Sequence, residues 1–147
     1  MGRKLNFIVL TVLVLLSLLF SAEYKFIEGT GSIDSGDTAW MIVASAFVLL
    51  MTPGLAFFYG GMVSVISTML QSFVALGVIS VLWVLVGFSL AFGDSIGGII
   101  GNPLTYFNFK GVSLSPNPEF SDSIPFLIFA LFQLKFAIIT PALITGS

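Results

Sequence analysis

The sequence predicts an all-α, polytopic membrane protein, and three observations support this fold class. Hydrophobic residues make up 57% of the 147 residues and charged residues only 8%, about a third of the charged share in an ordinary soluble domain. Three long apolar runs follow the first 39 residues, and each approaches the length that crosses a bilayer. The segments between them are rich in Gly, Pro, Asn and Ser, which end helices.

The amino-terminal segment has the layout of a secretory signal peptide. Arg3 and Lys4 precede an apolar run over 7–20, and small residues end it at Ala22. A run of this length covers only about 21 Å as a helix, which is shorter than the roughly 30 Å core of a bilayer. We therefore predict that residues 1–22 are a cleaved signal peptide. The alternative is a retained anchor or an additional span.

The apolar runs are predicted to be three transmembrane helices. Polar residues 23–39 precede the first of them, and Asp37 is placed to cap the helix that begins beside Trp40. Between the second and third runs, Gly and Pro break every helical period, so we expect an ordered or semi-ordered loop. The predicted spans cover residues 40–61, 65–92 and 124–145, with the loop over 93–123.

The orientation is predicted from the signal peptide, because the segment that follows a signal peptide is exported. Residues 23–39 and the loop 93–123 lie outside the cytoplasm, whereas the short turn near Ser64 and the residue Ser147 lie inside. Positive charge gives no support to this orientation, because the inside turn has no Lys or Arg and the outside loop contains Lys110.

Composition excludes several classes of function. Five basic and seven acidic residues give a net charge of -2, so there is no basic surface for nucleic acid and no polybasic patch for lipid headgroups. The sequence contains no Cys and no His, which removes thiolate chemistry, the usual zinc sites and imidazole catalysis. Phosphate-binding loops, serine elbows and paired carboxylates are also missing from it. We predict no enzymatic activity, no metal and no cofactor.

Polar residues within the third span need an explanation. Gln133 and Lys135 lie near its middle, where a lysine costs about 3 kcal/mol. Lys135 either faces a polar cavity or conduction path, or it snorkels or bonds a carbonyl of a neighbouring helix. Phe132 and Phe136 are four residues apart, so their rings share one helix face. This pair fits either core packing or a hydrophobic constriction in a pore.

Threonine-proline pairs occur in the first and third spans, at Thr52-Pro53 and Thr140-Pro141. Each proline frees a carbonyl one turn earlier, and a threonine hydroxyl or a neighbouring helix is expected to satisfy it. The sequence thus predicts bent or locally opened helices at both places.

Three linked motifs resemble a known family. The segments "DTAWMIVASAFVLLMTPGLAFFYGGM", "STMLQSFVALGVISVLWVLVGFSLAFG" and "FALFQLKFAIITPALITG" are similar, in order and spacing, to the first three transmembrane helices of the ammonium transporter (Amt/MEP/Rh) family. The resemblance covers residues 37–147. It implies a helical bundle of about eleven transmembrane helices in two inverted halves, assembled as a homotrimer with one pore per subunit. The chain would be a truncated, amino-terminal fragment with three of those helices.

The family resemblance also implies a function and a site. It implies transport of ammonium or ammonia through an apolar pore, with Phe136 as a gate residue and Phe132, one turn above, at the outer recruitment site for the cation. Lys135 is then expected to point away from the pore, since a fixed cation would repel the substrate. The resemblance further implies a bilayer location and a PII-type signalling protein as a cytoplasmic partner.

This sequence departs from the family pattern in three respects. The turn after Gly61 is shorter and uncharged, and Lys135 stands within the gate motif where many members have a neutral residue. The pore histidines of the family belong to helices that follow its third helix. The chain as given is therefore not expected to form a pore by itself. Two alternatives stay open: an ammonium sensor module that uses the same fold, or a truncated transporter without transport function.

Overall fold

The structure of the protein is a computed structural model that describes residues 11–12, 31–61 and 65–145. The predicted signal peptide over 1–22 lies outside the described residues apart from Thr11 and Val12, and the turn near Ser64 also lies outside them. The described part is mainly helical. The predicted all-α fold class is therefore confirmed.

Beyond residue 30, the described ranges contain four α-helices. They are α1 Ser35–Gly60, α2 Val65–Leu82, α3 Phe88–Phe92 and α4 Phe126–Thr145. A π-helical turn, Trp83–Gly87, joins α2 to α3, so these three elements form one continuous helical run of about 42 Å. The helices α1, α2 and α4 pack against one another.

Two helical runs are long and apolar enough to cross a membrane, namely Ser35–Gly60 and Met69–Phe92. A shorter apolar stretch, Phe126–Pro141, lies within α4. Only 11% of the most apolar stretch of the first run, and 17% of the second, is buried by the described chain. The core helix of a soluble protein would be mostly buried, so this exposure favours contact with lipid or with further helices.

The helix α1 begins earlier than the sequence predicts, and a different aspartate caps it. The Oδ1 atom of Asp34 accepts a hydrogen bond from the backbone N–H of Asp37 at 2.8 Å. Asp37 lies in the first turn, where a carboxylate interacts favourably with the helix dipole. The prediction that Asp37 is the cap is wrong, because Asp34 already satisfies the third orphan N–H of the helix.

The loop between α3 and α4 contains a short hairpin that the sequence did not predict. Strand β1, Ser95–Ile96, pairs antiparallel with strand β2, Ile100–Gly101. Gly97 and Gly98 make the turn with φ values of +64° and +75°, which residues with a side chain rarely adopt. Two residues per strand are too few to give an alternating pattern in the sequence.

Hydrogen bonds fasten this loop to the helices. The backbone N–H of Tyr106 donates to Oγ of Ser89, in α3, at 2.6 Å. The backbone N–H of Asp34 donates to the carbonyl of Ser123 at 2.8 Å, which brings the start of α1 against the end of the loop. The loop and the start of α1 therefore form one ordered end of the bundle, called the loop end below.

The best-packed core lies at the loop end rather than between the middles of the helices. Phe88 is fully buried, and the centroids of five other rings lie 5.1 to 5.9 Å from its own. All five pairs meet edge to face or tilted, as aromatic quadrupoles favour. We define the aromatic cluster as Trp83, Phe88, Phe92, Tyr106, Phe109, Phe120, Phe126 and Phe129.

Candidate pore-lining site

The two faces of α4 differ in burial. Ala130, Leu134 and Ile138 are at most 5% exposed and lie on the face that packs within the bundle. Phe136 is 45% exposed and projects from the other side of the helix, as does Phe132 one turn before it. The described part of the chain thus leaves the face of α4 that carries these two rings open.

Phe132 and Phe136 contact each other on this open face. Their ring centroids are 5.1 Å apart and the rings meet edge to face at 76°. Such a geometry is one of the favoured arrangements for aromatic pairs. The two residues that the sequence singles out as a pair therefore form one aromatic surface about one helical turn long.

The threonine before Pro141 supports the backbone at this pair. Oγ1 of Thr140 donates to the carbonyl of Phe136 at 3.0 Å. Pro141 frees the carbonyl of Ala137, so the hydroxyl bonds the preceding carbonyl and not the freed one. In α1, the buried hydroxyl of Thr52 has no hydrogen-bond partner among the described residues. Neither threonine hydroxyl bonds the carbonyl that its proline frees, so the expectation of a threonine partner is wrong at both places, whereas the alternative of a neighbouring helix stays a prediction.

Gln133 and Lys135 flank the aromatic pair. Both side chains are half-buried. At about 100° per residue, they project from α4 on opposite sides of the line through Phe132 and Phe136. Neither polar residue lies on the line of the two rings.

A contact to α4 that the sequence did not predict comes from Trp83. Its indole N–H donates to the backbone carbonyl of Ala130 at 3.2 Å. A tryptophan within an aliphatic run is a signal that some partner for its N–H exists. The sequence cannot identify that partner, because the two residues are 47 positions apart.

The loop end carries an excess of negative charge. Its described residues include five carboxylates and one lysine: Asp34, Asp37, Asp94, Glu119, Asp122 and Lys110. One oxygen of Asp94 accepts a hydrogen bond from Oγ1 of Thr105 at 3.0 Å. Surface charge of one sign raises the local concentration of oppositely charged solutes, so this end of the bundle attracts cations.

The same charges act on Tyr106. Burial raises the pKa of the Tyr106 phenol, and the carboxylates of Glu119 and Asp94 raise it further, while a hydrogen bond with Asn117 lowers it. Burial and nearby negative charge both disfavour a phenolate. Tyr106 is therefore held in its neutral form within the aromatic cluster.

The raised pKa of Tyr106 makes the loop end sensitive to alkali. The folded protein holds this proton more tightly than the unfolded chain, so the stabilisation is present below the ordinary pKa of about 10 and is lost as pH rises through the raised pKa. We expect the wild type to lose thermal stability in detergent more steeply than Tyr106→Phe above about pH 10. Melting curves over a pH series measure this, and equal slopes for the two proteins would contradict it.

Comparison with known proteins gives one matching family model and several similar curated proteins. Residues 39–147 match the family model described as the Ammonium Transporter Family. An ammonium transporter of Mycobacterium tuberculosis (strain ATCC 25618 / H37Rv) is 51% identical in an alignment of 130 positions, which covers 78% of this chain and 27% of the relative. An ammonium transporter of Aquifex aeolicus (strain VF5) is 44% identical in an alignment of 149 positions, which covers 99% of this chain and 33% of the relative.

The chain spans about a quarter to a third of the length of these curated relatives. The family match begins within α1 and runs through α4, so it includes both long apolar helices and the aromatic pair. Because the match covers most of the described fold and the identities are well above chance similarity, the chain belongs to the ammonium transporter family.

Proposed function

We propose that residues 39–147 form part of a transmembrane pathway for ammonium, and that Phe132 and Phe136 line its outer half. The observation that carries this proposal is the contacting ring pair on the open face of α4. From the start of α4 at the loop end, Phe132 lies about 9 Å and Phe136 about 15 Å along the helix. The pair thus extends from the outer half of a bilayer towards its middle.

Negative charge at the loop end supports recruitment of a cation there. Its described residues include five carboxylates and only one lysine. Such an excess of negative charge concentrates cations and speeds their arrival. An ammonium ion drawn to this end meets the start of α4 before it meets the aromatic pair. The charge distribution therefore agrees with entry of ammonium from the outside.

The aromatic pair offers an ammonium ion that has lost part of its water a favourable contact with the faces of two rings. An aromatic face attracts a cation by about 0.5–2 kcal/mol, with the larger values in a water-poor site. Two phenyl rings also form an apolar constriction that excludes bulk water. In this proposal Phe132 receives the cation and Phe136 is the gate beyond which ammonia or ammonium passes, with no metal or cofactor.

Lys135 is compatible with this arrangement only if its side-chain amine lies outside the pathway. It lies about 100° around the helix from Phe136 and is half-buried. We propose that its amine points along the flank of α4 and not into the pore. A lysine amine in the pore would repel the substrate.

A closed pore needs walls beyond the described helices. The open face of α4 has to be covered by further transmembrane helices, and the relatives have the additional length for them. We propose a multi-pass protein in the cell membrane, with residues 23–39 outside the cytoplasm. Assembly as a homotrimer and a PII-type partner on the cytoplasmic side also stay proposals.

Replacement of Phe136 tests the proposal directly. In the complete gene product that carries this chain, we expect Phe136→Ala to raise the apparent KM for methylammonium by about two- to thirtyfold, in line with loss of a cation–aromatic contact. We also expect it to increase water leakage, because the constriction is opened. Uptake of labelled methylammonium and osmotic swelling of proteoliposomes measure the two effects.

The matched control is Phe47→Ala, which removes a ring that is 66% exposed on α1. This variant should transport methylammonium like the wild type. Unchanged uptake together with unchanged water leakage in Phe136→Ala would refute the assignment of the gate.

A further inference from the structure

We infer that Trp83 is a positioning residue for the aromatic pair: its indole N–H fixes α4 at Ala130, two residues before Phe132. The inference rests on the proposed function, because it concerns the placement of the same two rings. Trp83 itself does not reach the open face of α4, since its partner Ala130 is fully buried on the opposite face.

The acceptor in this contact is a backbone carbonyl, so the contact constrains the position of the helix α4 itself and not that of a side chain. The carbonyl of Ala130 receives the indole N–H at 3.2 Å in a partly buried environment, where water competes little for the bond. Sliding α4 by one residue would move that carbonyl by about 1.5 Å along the axis and rotate it by about 100°. The bond therefore selects one axial position and one rotation of α4.

The π-helical turn holds the indole in the required direction. Trp83 is the first residue of this turn, and the N–H of Phe88 donates to its carbonyl. A Cβ atom at Gly87 would lie 3.1 Å from Cε3 of Trp83, so the indole lies directly over that glycine. π-helical turns inside α-helices occur frequently at functional sites, and here the turn directs a hydrogen-bond donor at a second helix.

Two other members of the aromatic cluster also contact the indole. The Trp83 ring meets Phe88 at 5.9 Å and Phe92 at 6.4 Å, both edge to face. Because the ring is packed against these two neighbours and against Gly87, its N–H keeps a fixed direction. The aromatic cluster, through Trp83, is thereby connected to the part of α4 that immediately precedes the pore-lining pair.

The consequence concerns Phe132 and Phe136. Both rings leave α4 within two turns of Ala130, so their position follows from the position of that carbonyl. Loss of the bond should leave the helix folded but less well fixed, and the cation would then meet a misplaced pair. The expected defect is in apparent affinity for the substrate rather than in the amount of folded protein.

The sharpest test removes only the indole N–H. In the complete gene product, Trp83 is replaced by β-(3-benzothienyl)alanine, in which sulfur takes the place of N–H and the shape is kept. We expect the apparent KM for methylammonium to rise about two- to tenfold, as for loss of one hydrogen bond, while the maximal rate per folded molecule stays within about twofold. A purely structural role would instead lower the yield and the melting temperature at unchanged KM, and that result would overturn the inference.

Two control variants separate the possible outcomes. Ser80→Ala removes a side-chain hydrogen bond from the same helical run, the 2.7 Å bond to the carbonyl of Leu76, and it should leave the apparent KM unchanged. If Phe136→Ala alters transport but the benzothienyl variant keeps the wild-type KM, only the role of Trp83 is refuted. If Phe136→Ala alters nothing, the proposed function fails and the inference falls with it.

A spectroscopic measurement is independent of transport. The sequence has two tryptophans, and Trp40 is 72% exposed. In a spectrum of the indole N–H groups in detergent micelles, we expect the Trp83 signal to exchange with solvent at least tenfold more slowly than the Trp40 signal. Equally fast exchange of both signals would show that the bond to Ala130 does not persist.

Discussion

Phe88→Ala is expected to lower the free energy of unfolding of the loop end by about 3–5 kcal/mol, the cost of removing a fully buried phenyl ring. Phe88 is 0% exposed and contacts rings from α4 and from the loop as well as two rings of its own helical run. Its loss leaves a cavity between all three. Thermal unfolding of the detergent-solubilised protein measures the effect, and Trp83 fluorescence reports the opened cluster.

The contrast with an exposed ring makes this prediction specific. Phe57→Ala truncates a side chain that is 65% exposed on α1, and a surface change of this kind is expected to stay within about 0.5 kcal/mol. Phe88→Leu should fall between the two, since it keeps most of the buried volume. Equal stability of Phe88→Ala and Phe57→Ala would show that the loop end is not a packed core.

The features that the sequence predicted correctly depend on local spacing. Composition and the length of the apolar runs are enough to predict a helical membrane protein. The contact between Phe132 and Phe136 follows from their separation by four residues on one helix. Neither inference needs information about which segments meet in space.

The features that were missed depend on contacts between distant segments. Asp34 and Asp37 both fit the pattern of a helix cap. The bond from the backbone N–H of Asp34 to the carbonyl of Ser123 favours Asp34 as the cap. Ser123 lies far along the chain, so the sequence pattern does not reveal this bond. The same holds for Trp83 and Ala130, where the donor is recognisable in the sequence and the acceptor is not.

A third kind of feature, the left-handed backbone at Phe109, leaves no signal in the sequence. Asn108 and Phe109 have φ values of 53° and 57°, a conformation that is uncommon without glycine and unfavourable for a bulky side chain. The ring of Phe109 meets Phe88 at 5.6 Å. We attribute the left-handed backbone at Phe109 to this contact, because packing the partly buried ring against Phe88 offsets the local strain.

Gly101 in β2 packs closely against the backbone of α3, so its replacement by alanine is expected to have the second large effect on the free energy of unfolding. A Cβ atom at this position would overlap the carbonyl oxygen of Ser89 and would lie 2.8 Å from that of Leu90. Both are backbone atoms of the helix α3, so neither yields as a flexible side chain would. We expect Gly101→Ala to lower the free energy of unfolding by about 1–3 kcal/mol or more, measured by thermal unfolding in detergent.

Gly77→Ala is the matched control, because a Cβ atom at Gly77 in α2 would meet nothing within 4 Å. Alanine has the higher helix propensity, so this variant should be as stable as the wild type or more stable by about 0.5–1 kcal/mol. If Gly101→Ala lowers the free energy of unfolding and Gly77→Ala raises it, the loss at Gly101 is due to steric overlap at the hairpin and not to the change in backbone entropy that both variants share. A neutral Gly101→Ala would mean that the hairpin does not pack against Ser89, and the Tyr106 N–H, which bonds Oγ of the same serine, should then exchange rapidly with solvent.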